Sequence, residues 1–377
     1  MDFLNLVWTN GASFLFILTV IVFFHELGHY AVARANGVRV EVFSIGFGPE
    51  LFGWTAKSGT RWKVSLLPLG GYVKMFGETV SGAEDEEEKN LTPAEEAVSF
   101  HHKRVGQRAA IVAAGPIANF ILAIILFAVL FATEGQPFTP PEAGKVQEGS
   151  AAETAGMKPG DRFVSIDGRV IERFEDVQGI VRMAAGRELS IVISRDGKAL
   201  TLKAVPKPHK LKDRFGNESE IGLLGVERAG PLFVRHPPVE AAYRAVQETW
   251  RMSVFTLEAV GQIIVGSRSA DGLGGPIRIA QMSGQVAELG LGRLFWFLAV
   301  LSINLGLINL FPVPMLDGGH LVFYGIEAIQ GRAVNDRVME YGFRIGLGLV
   351  VSLFIFVTVQ DLLRFDAIAD FIKRLVS

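Results

Sequence analysis

The chain has no cysteine among its 377 residues. Disulfides are excluded, and any metal ion must be held by His, Asp or Glu. Charged residues make up 20%, below the usual quarter, and the formal net charge is −2. No basic stripe with interleaved aromatics occurs, which argues against a nucleic-acid partner. The first ten residues, MDFLNLVWTN, contain neither Lys nor Arg, so the basic leading region of a cleaved secretory signal is missing.

Apolar residues are abundant instead, at 49% with a mean hydropathy of +0.33. That is high for a wholly soluble protein, and the length allows two domains. Four segments read as membrane spans: 1–35, 109–133, 294–317 and 341–363. Within the second, Ile111 to Ala132 carries no charge at all, long enough to cross a hydrocarbon core. Residues 239–265 carry Arg251 and Glu258 on an otherwise apolar pattern and read as an amphipathic interfacial helix. It belongs to a proline-punctuated connector over 207–293.

Arg34 and Arg39 follow the first span, and Lys103, Arg104 and Arg108 bracket the start of the second. Arg332, Arg337 and Arg344 lie around the third-to-fourth connection. The positive-inside bias puts both short connections in the cytoplasm and both termini outside, although Arg364, Lys373 and Arg374 pull the other way. The stretch between the second and third spans is then extracytoplasmic.

The most telling residues end the first apolar run, where His25-Glu26-Leu27-Gly28-His29 follows FLFILTVIVFF. Residues four apart share a helix face, so His25 and His29 can close on one metal ion with Glu26 beside it. A composition with 7 His and 39 acidic residues produces such a pentad by chance about 0.01 times per chain. Ionisable groups inside a membrane segment also point to function. Catalytic zinc takes three protein ligands and leaves one position open, so a third is needed at membrane depth. The stretch Asn309 to His320, NLFPVPMLDGGH, offers Asp317, with His320 as a rival. Asp317 could equally cap the helix that follows it.

Between the first two spans, 36–108 reads as a cytoplasmic-side loop. Its 46–77 portion, with Gly, Pro and alternating apolar residues, suggests paired strands. These either dip toward the active site or form a small surface sheet, and the acidic run Glu84–Glu88 reads as a solvated loop. Residues 142–206 have helix, strand and hairpin signals, with Asp196-Gly197 as a two-residue turn. They resemble a PDZ domain, which takes a peptide as an added strand. The fold expected is a multi-span α-helical membrane protein of four transmembrane helices, with a membrane-associated β-hairpin region and one extracytoplasmic α+β PDZ-like domain.

HELGH at the end of a first span, GPIAN in a second, a PDZ-like insert and NLFPVPMLDGGH in a third together resemble the site-2 protease family of intramembrane zinc metalloproteases. FSIGFGP, PLGGYVKM and GGPIRIAQ extend the likeness over nearly the whole chain. The resemblance implies Zn2+ held by His25, His29 and Asp317, with Glu26 as general base and Asn309 holding substrate backbone near the metal. It implies that 46–77 is a re-entrant β-structure engaging an unwound substrate. Gly115, Pro116 and Asn119 match a second-span motif. The expected activity is regulated intramembrane proteolysis in the bacterial inner membrane. Substrates would be single-span proteins of anti-sigma-factor or remnant-signal-peptide type in stress signalling, with peptide segments and the lipid bilayer as further partners. A bacterial member of the family carries two tandem PDZ domains where one is evident here. The competing reading is a non-catalytic PDZ-bearing membrane scaffold or metal carrier. A carrier would show several polar stations and internal repeats, which this sequence lacks.

Overall fold

The protein is described by a computed structural model over residues 3–78, 91–212, 218–230, 232–266 and 274–363. The acidic run Glu84–Glu88 and the cations at 364, 373 and 374 lie outside those residues. In chain order, helix α1 (Phe3–Ala35) leads to strands β1 (Val40–Thr55) and β2 (Arg61–Met75), the single turn α2 (Pro93–Glu96) and helix α3 (Val105–Thr133). A β-rich stretch follows: β3 (Gln136–Phe138), β4 (Ala143–Val146), α4 (Ala151–Thr154), β5 (Arg162–Ile166), β6 (Arg169–Val170), α5 (Phe174–Arg182), β7 (Leu189–Arg195) and β8 (Lys198–Ala204). It continues through β9 (Lys207–Lys212), β10 (Glu218–Leu223), β11 (Val226–Arg228) and β12 (Leu232–Val234). Helices α6 (Pro238–Ile264), α7 (Pro276–Glu288), α8 (Leu291–Leu310), α9 (Asp317–Gln330) and α10 (Asp336–Leu363) come last. The chain divides into two compact units, Met1–Leu130 with Val239–Ser377, and Phe131–Pro238.

In the first unit, four helical stretches are long and apolar enough to cross a membrane: Asn10–Ala35, Val105–Thr133, Leu291–Leu310 and Arg337–Leu362. Ile17 and Ile21 of α1, Leu122 of α3 and Leu298 of α8 form one buried cluster that holds three of these helices together. Helix α1 ends where Gly37 takes a left-handed conformation (φ +71°) and Val38 N–H donates to the Ala33 carbonyl. Helix α8 stops at Leu310, short of the segment to 317 expected from sequence. Pro312 and Pro314 lack the N–H that another turn would need, and each biases the residue before it away from helical backbone.

Strands β1 and β2 are long and bent. Residues 40–45 pair with 71–75 on one side and lie alongside 61–64 on the other, while 50–55 pairs with 61–65. Segment 71–75 is thereby left at an outer edge. Gly46, Gly48 and Gly70, all at positive φ, supply the bends. Phe43 is fully buried and anchors the sheet on α1, stacked on Trp62 at 4.2 Å and edge-on to Phe23 and Tyr30 at 5.7 and 5.8 Å. Farther along, Phe47, Leu51, Phe52, Trp54, Leu66 and Leu67 are exposed.

The second unit is built on a four-stranded sheet in the order β6-β5-β7-β8. Phe163, Ile166, Leu189, Ile191 and Ile193 bury one face of it against Phe174, Val177 and Val181 of α5. Asp196 and Gly197, at φ +50° and +76°, form the β7–β8 turn between the paired Arg195 and Lys198. The unit extends past residue 206. Strand β11 pairs with β4, β12 pairs with β3, and Leu224 joins the buried core. The prolines around 206–238 thus punctuate edge strands instead of marking a connector.

Candidate metal centre

His25 and His29 lie one turn apart on α1, both buried. Their neighbour is a stripe of α3 residues also spaced by four: Ile111, Gly115 and Asn119. The Ile111 carbonyl faces His29 Nδ1 at 2.9 Å, and a carbonyl can only accept. His29 therefore carries its proton on Nδ1 and presents the Nε2 lone pair. Asn119 sits 3.1 Å from His25 Nδ1. Between them, a Cβ built on Gly115 would come within 2.3 Å of His29 Nε2 and 2.9 Å of His25 Cε1. Any side chain at this position would occupy the histidine cradle itself.

Asp317 arrives from the far end of the chain. Gly318 and Gly319 let the start of α9 press onto the preceding loop. A Cβ on Gly318 would stand 2.3 Å from the Leu310 and Phe311 carbonyl oxygens, and one on Gly319 would stand 2.4 Å from that of Val313. Met315, at φ +89°, turns the chain just before it. Leu316 is the N-cap residue of α9, and no side chain caps that helix end. The capping alternative for Asp317 is therefore not what the fold adopts. Its Oδ2 is buried without a hydrogen-bond partner and points at the histidines, 3.2 Å from His25 Nε2 and 3.6 Å from His29 Nε2.

The two Nε2 atoms are themselves 3.2 Å apart. Tetrahedral zinc with bonds of about 2.0–2.1 Å holds its ligand atoms about 3.3 Å apart, so this triangle of two nitrogens and one oxygen fits the ion. His25, His29 and Asp317 form a donor cluster of which His320 is not a member. The His320 ring instead packs on Phe343 and Tyr324, with centroids 5.2 and 6.4 Å away.

Glu26 stands on the neighbouring face of α1, within hydrogen-bond reach of the Val73 backbone N–H. That amide lies on the outer edge of the 71–75 segment, and a Cβ on Gly71 would lie 3.4 Å from Glu26 Cγ. The sheet edge thus runs directly past the carboxylate. Asn309 lies in the last turn of α8, half-buried, and does not belong to the donor cluster. Val73 N–H and the Ile111 carbonyl are backbone groups, which residue identity alone does not single out.

A profile of Peptidase family M50 matches residues 13–353. The chain belongs to that family. It is similar to Atu1380 of Agrobacterium fabrum, named as a candidate zinc metalloprotease, at 45% identity over 93% of this chain and 94% of that protein. R01501 of Rhizobium meliloti, named likewise, is 46% identical over 93% and 95%. The metalloprotease MmpA of Caulobacter vibrioides is 38% identical over 94% and 95%. As an M50 (site-2 protease) family member the protein is a zinc metalloprotease, and its apolar helices make it a multi-pass membrane protein. Membership decides against the scaffold and carrier readings.

Proposed function

We propose that the protein is an intramembrane endopeptidase that cuts single-span substrates within or beside their transmembrane segments, with zinc held by His25, His29 and Asp317. The observation that carries this reading is the donor triangle itself, built by a helix long and apolar enough to span a bilayer. When bound there, zinc supplies Lewis acidity that activates a water and polarises the scissile carbonyl. Glu26 takes the proton from the attacking water and returns it to the leaving amine. Val73 N–H orients the Glu26 carboxylate for both transfers.

A helical substrate hides its carbonyls in its own hydrogen bonds and must unwind before attack. The 71–75 edge offers replacement bonds by strand addition next to Glu26, and Asn309, in the last turn of α8, holds substrate backbone, as the family resemblance implies. Exposed apolar residues on the bent sheet, Leu51, Phe52 and Trp54 among them, suit a location dipping into lipid. The second unit acts as a PDZ-like, extracytoplasmic filter that excludes untrimmed ectodomains. Its substrates are anti-sigma factors or remnant signal peptides, cut in a regulated way at a bacterial inner membrane with the metal site toward the cytoplasm, as the family resemblance implies.

The decisive experiment is Glu26→Gln in the purified full chain with a model transmembrane substrate. Cleavage should fall by at least about 100-fold with zinc content unchanged. Turnover near wild type by the zinc-loaded variant would contradict the assignment. Replacing Phe131–Pro238 with a flexible linker should admit untrimmed substrate. Loss of all cleavage in a folded deletion would make the unit a delivery module instead.

A further inference from the structure

A histidine that ligates through Nε2 must carry its proton on Nδ1, and in a buried site that proton needs an acceptor. His29 has one in the Ile111 carbonyl. His25 Nδ1 faces no carbonyl but the side-chain amide of Asn119, 3.1 Å away. Asn119 is completely buried, and the end of its amide turned from the histidine, Oδ1, has no partner. A buried polar atom left unpaired is costly, so packing does not explain an asparagine at this position. The backbone and Cβ that carry this amide are held firmly. Ser302 Oγ donates to the Asn119 backbone carbonyl at 2.8 Å, and Gly306 of α8 approaches closely enough that its Cβ would lie 3.4 Å from Asn119 Cβ.

We infer that Asn119 is the positioning residue that sets the tautomer of His25, through an amide that half-rotates between two states. With Nδ2 toward the ring, Asn119 donates to Nδ1, and the His25 proton sits on Nε2, facing His29 Nε2 3.2 Å away, so that His25 offers a metal no lone pair. With Oδ1 toward the ring, the amide accepts from Nδ1–H and the Nε2 lone pair is released to a metal. Amide nitrogen and oxygen are alike in size, so the exchange needs no other side chain to move. Neither leucine nor alanine can provide either state. Aspartate, which accepts only, locks the ligating one.

This inference rests on His25, His29 and Asp317 being the zinc ligands, and its test separates the two. Zinc affinity of the full chain in detergent is measured by competition with a chromophoric chelator, alongside thermal melts of the chelator-stripped protein. Asn119→Leu should bind zinc about 10- to 100-fold more weakly, with the metal-free melt unchanged. Asn119→Asp should bind as tightly as wild type or more so. If Asn119→Leu does not fold, Asn119→Ala is measured in its place, with the same expected loss. Wild-type affinity in these apolar variants, or aspartate weaker than leucine, overturns the inference. His29→Ala serves as the control. If it too keeps wild-type affinity, the ligand assignment itself has failed; if it loses zinc while Asn119→Leu does not, only the role of Asn119 is wrong.

Discussion

Asp317 Oδ2 lies 3.2 Å from His25 Nε2, although the two residues come from opposite ends of the chain. Helix α1 sets the histidine by simple periodicity. The aspartate is set by a broken connection, in which α8 must end, two prolines and Met315 must turn the chain, and two glycines must let α9 close onto it. The oxygen that results is buried and lacks a hydrogen bond. Asp317→Asn keeps the shape but removes the anionic ligand. Zinc affinity should fall by at least about 100-fold, a larger loss than removing a hydrogen-bonding partner of a ligand causes. Chelator competition on the full chain measures it, and an affinity within threefold of wild type would refute ligation by this carboxylate.

Gly115 makes a sharper point, because nothing about its chemistry ligates anything. Its Cβ position is 2.3 Å from His29 Nε2, closer than any real contact allows, and the atoms it meets are the two imidazole rings themselves. Gly115→Ala should force α3 and the histidines apart. The expected result is a membrane-inserted, folded chain with zinc content and cleavage both reduced at least about tenfold. Metal analysis of the purified variant checks this, and full zinc occupancy would show that the helices tolerate the displacement.

The parts of this site that a sequence displays are those with a period or a distinctive side chain. HELGH announces itself by its spacing of four on an apolar run, and Asp317 by its place after Pro312 and Pro314. Ile111, Gly115 and Asn119 share that spacing too, but only packing reveals which helix they face. The bent sheet was harder to foresee. Alternating apolar residues over 46–77 suggest two paired strands, whereas the fourfold layering depends on where Gly46, Gly48 and Gly70 bend them. The pairing that carries the second unit past 206 is hidden for a related reason. Pro206, Pro208 and Pro237 look like linker punctuation, and the long-range pairing of Val226 with Val146 has no local signature.

Phe43 connects the sheet to the chemistry. It is buried between Trp62, Tyr30 and Phe23, and its strand partner across the sheet is Val73, whose N–H meets Glu26. Phe43→Ala should cost about 3–5 kcal/mol of local packing. Its ring contacts are with Phe23, Tyr30 and Trp62, none of them a metal ligand. Cleavage should therefore drop about tenfold or more with zinc affinity unchanged, and hydrogen exchange in 71–75 should quicken. Loss of zinc along with activity would mean that the sheet also holds the metal site together.

In the second unit, Asp161 is 1% exposed and ties the turn before β5 to β7. It receives two hydrogen bonds from Arg195, both 2.7 Å, and one from Lys158 N–H at 2.8 Å. Burial alone would raise its pKa, but the Arg195 and Lys158 bonds outweigh that and hold the carboxyl below its ordinary value. A depressed folded value means that the stabilisation is present above the unfolded carboxylate range, about 3.9, and is lost as pH falls through the folded one. Asp161→Asn should cost about 2–3 kcal/mol near neutrality, less than a fully enclosed pair because Arg195 is partly open to water. The difference from wild type should shrink steadily below about pH 4. Hydrogen exchange of the β5 and β7 amides in the full chain, corrected for intrinsic rates across a pH series, reads both effects. A difference that stayed constant down to pH 2 would show that the charge on Asp161 contributes nothing to holding the unit together.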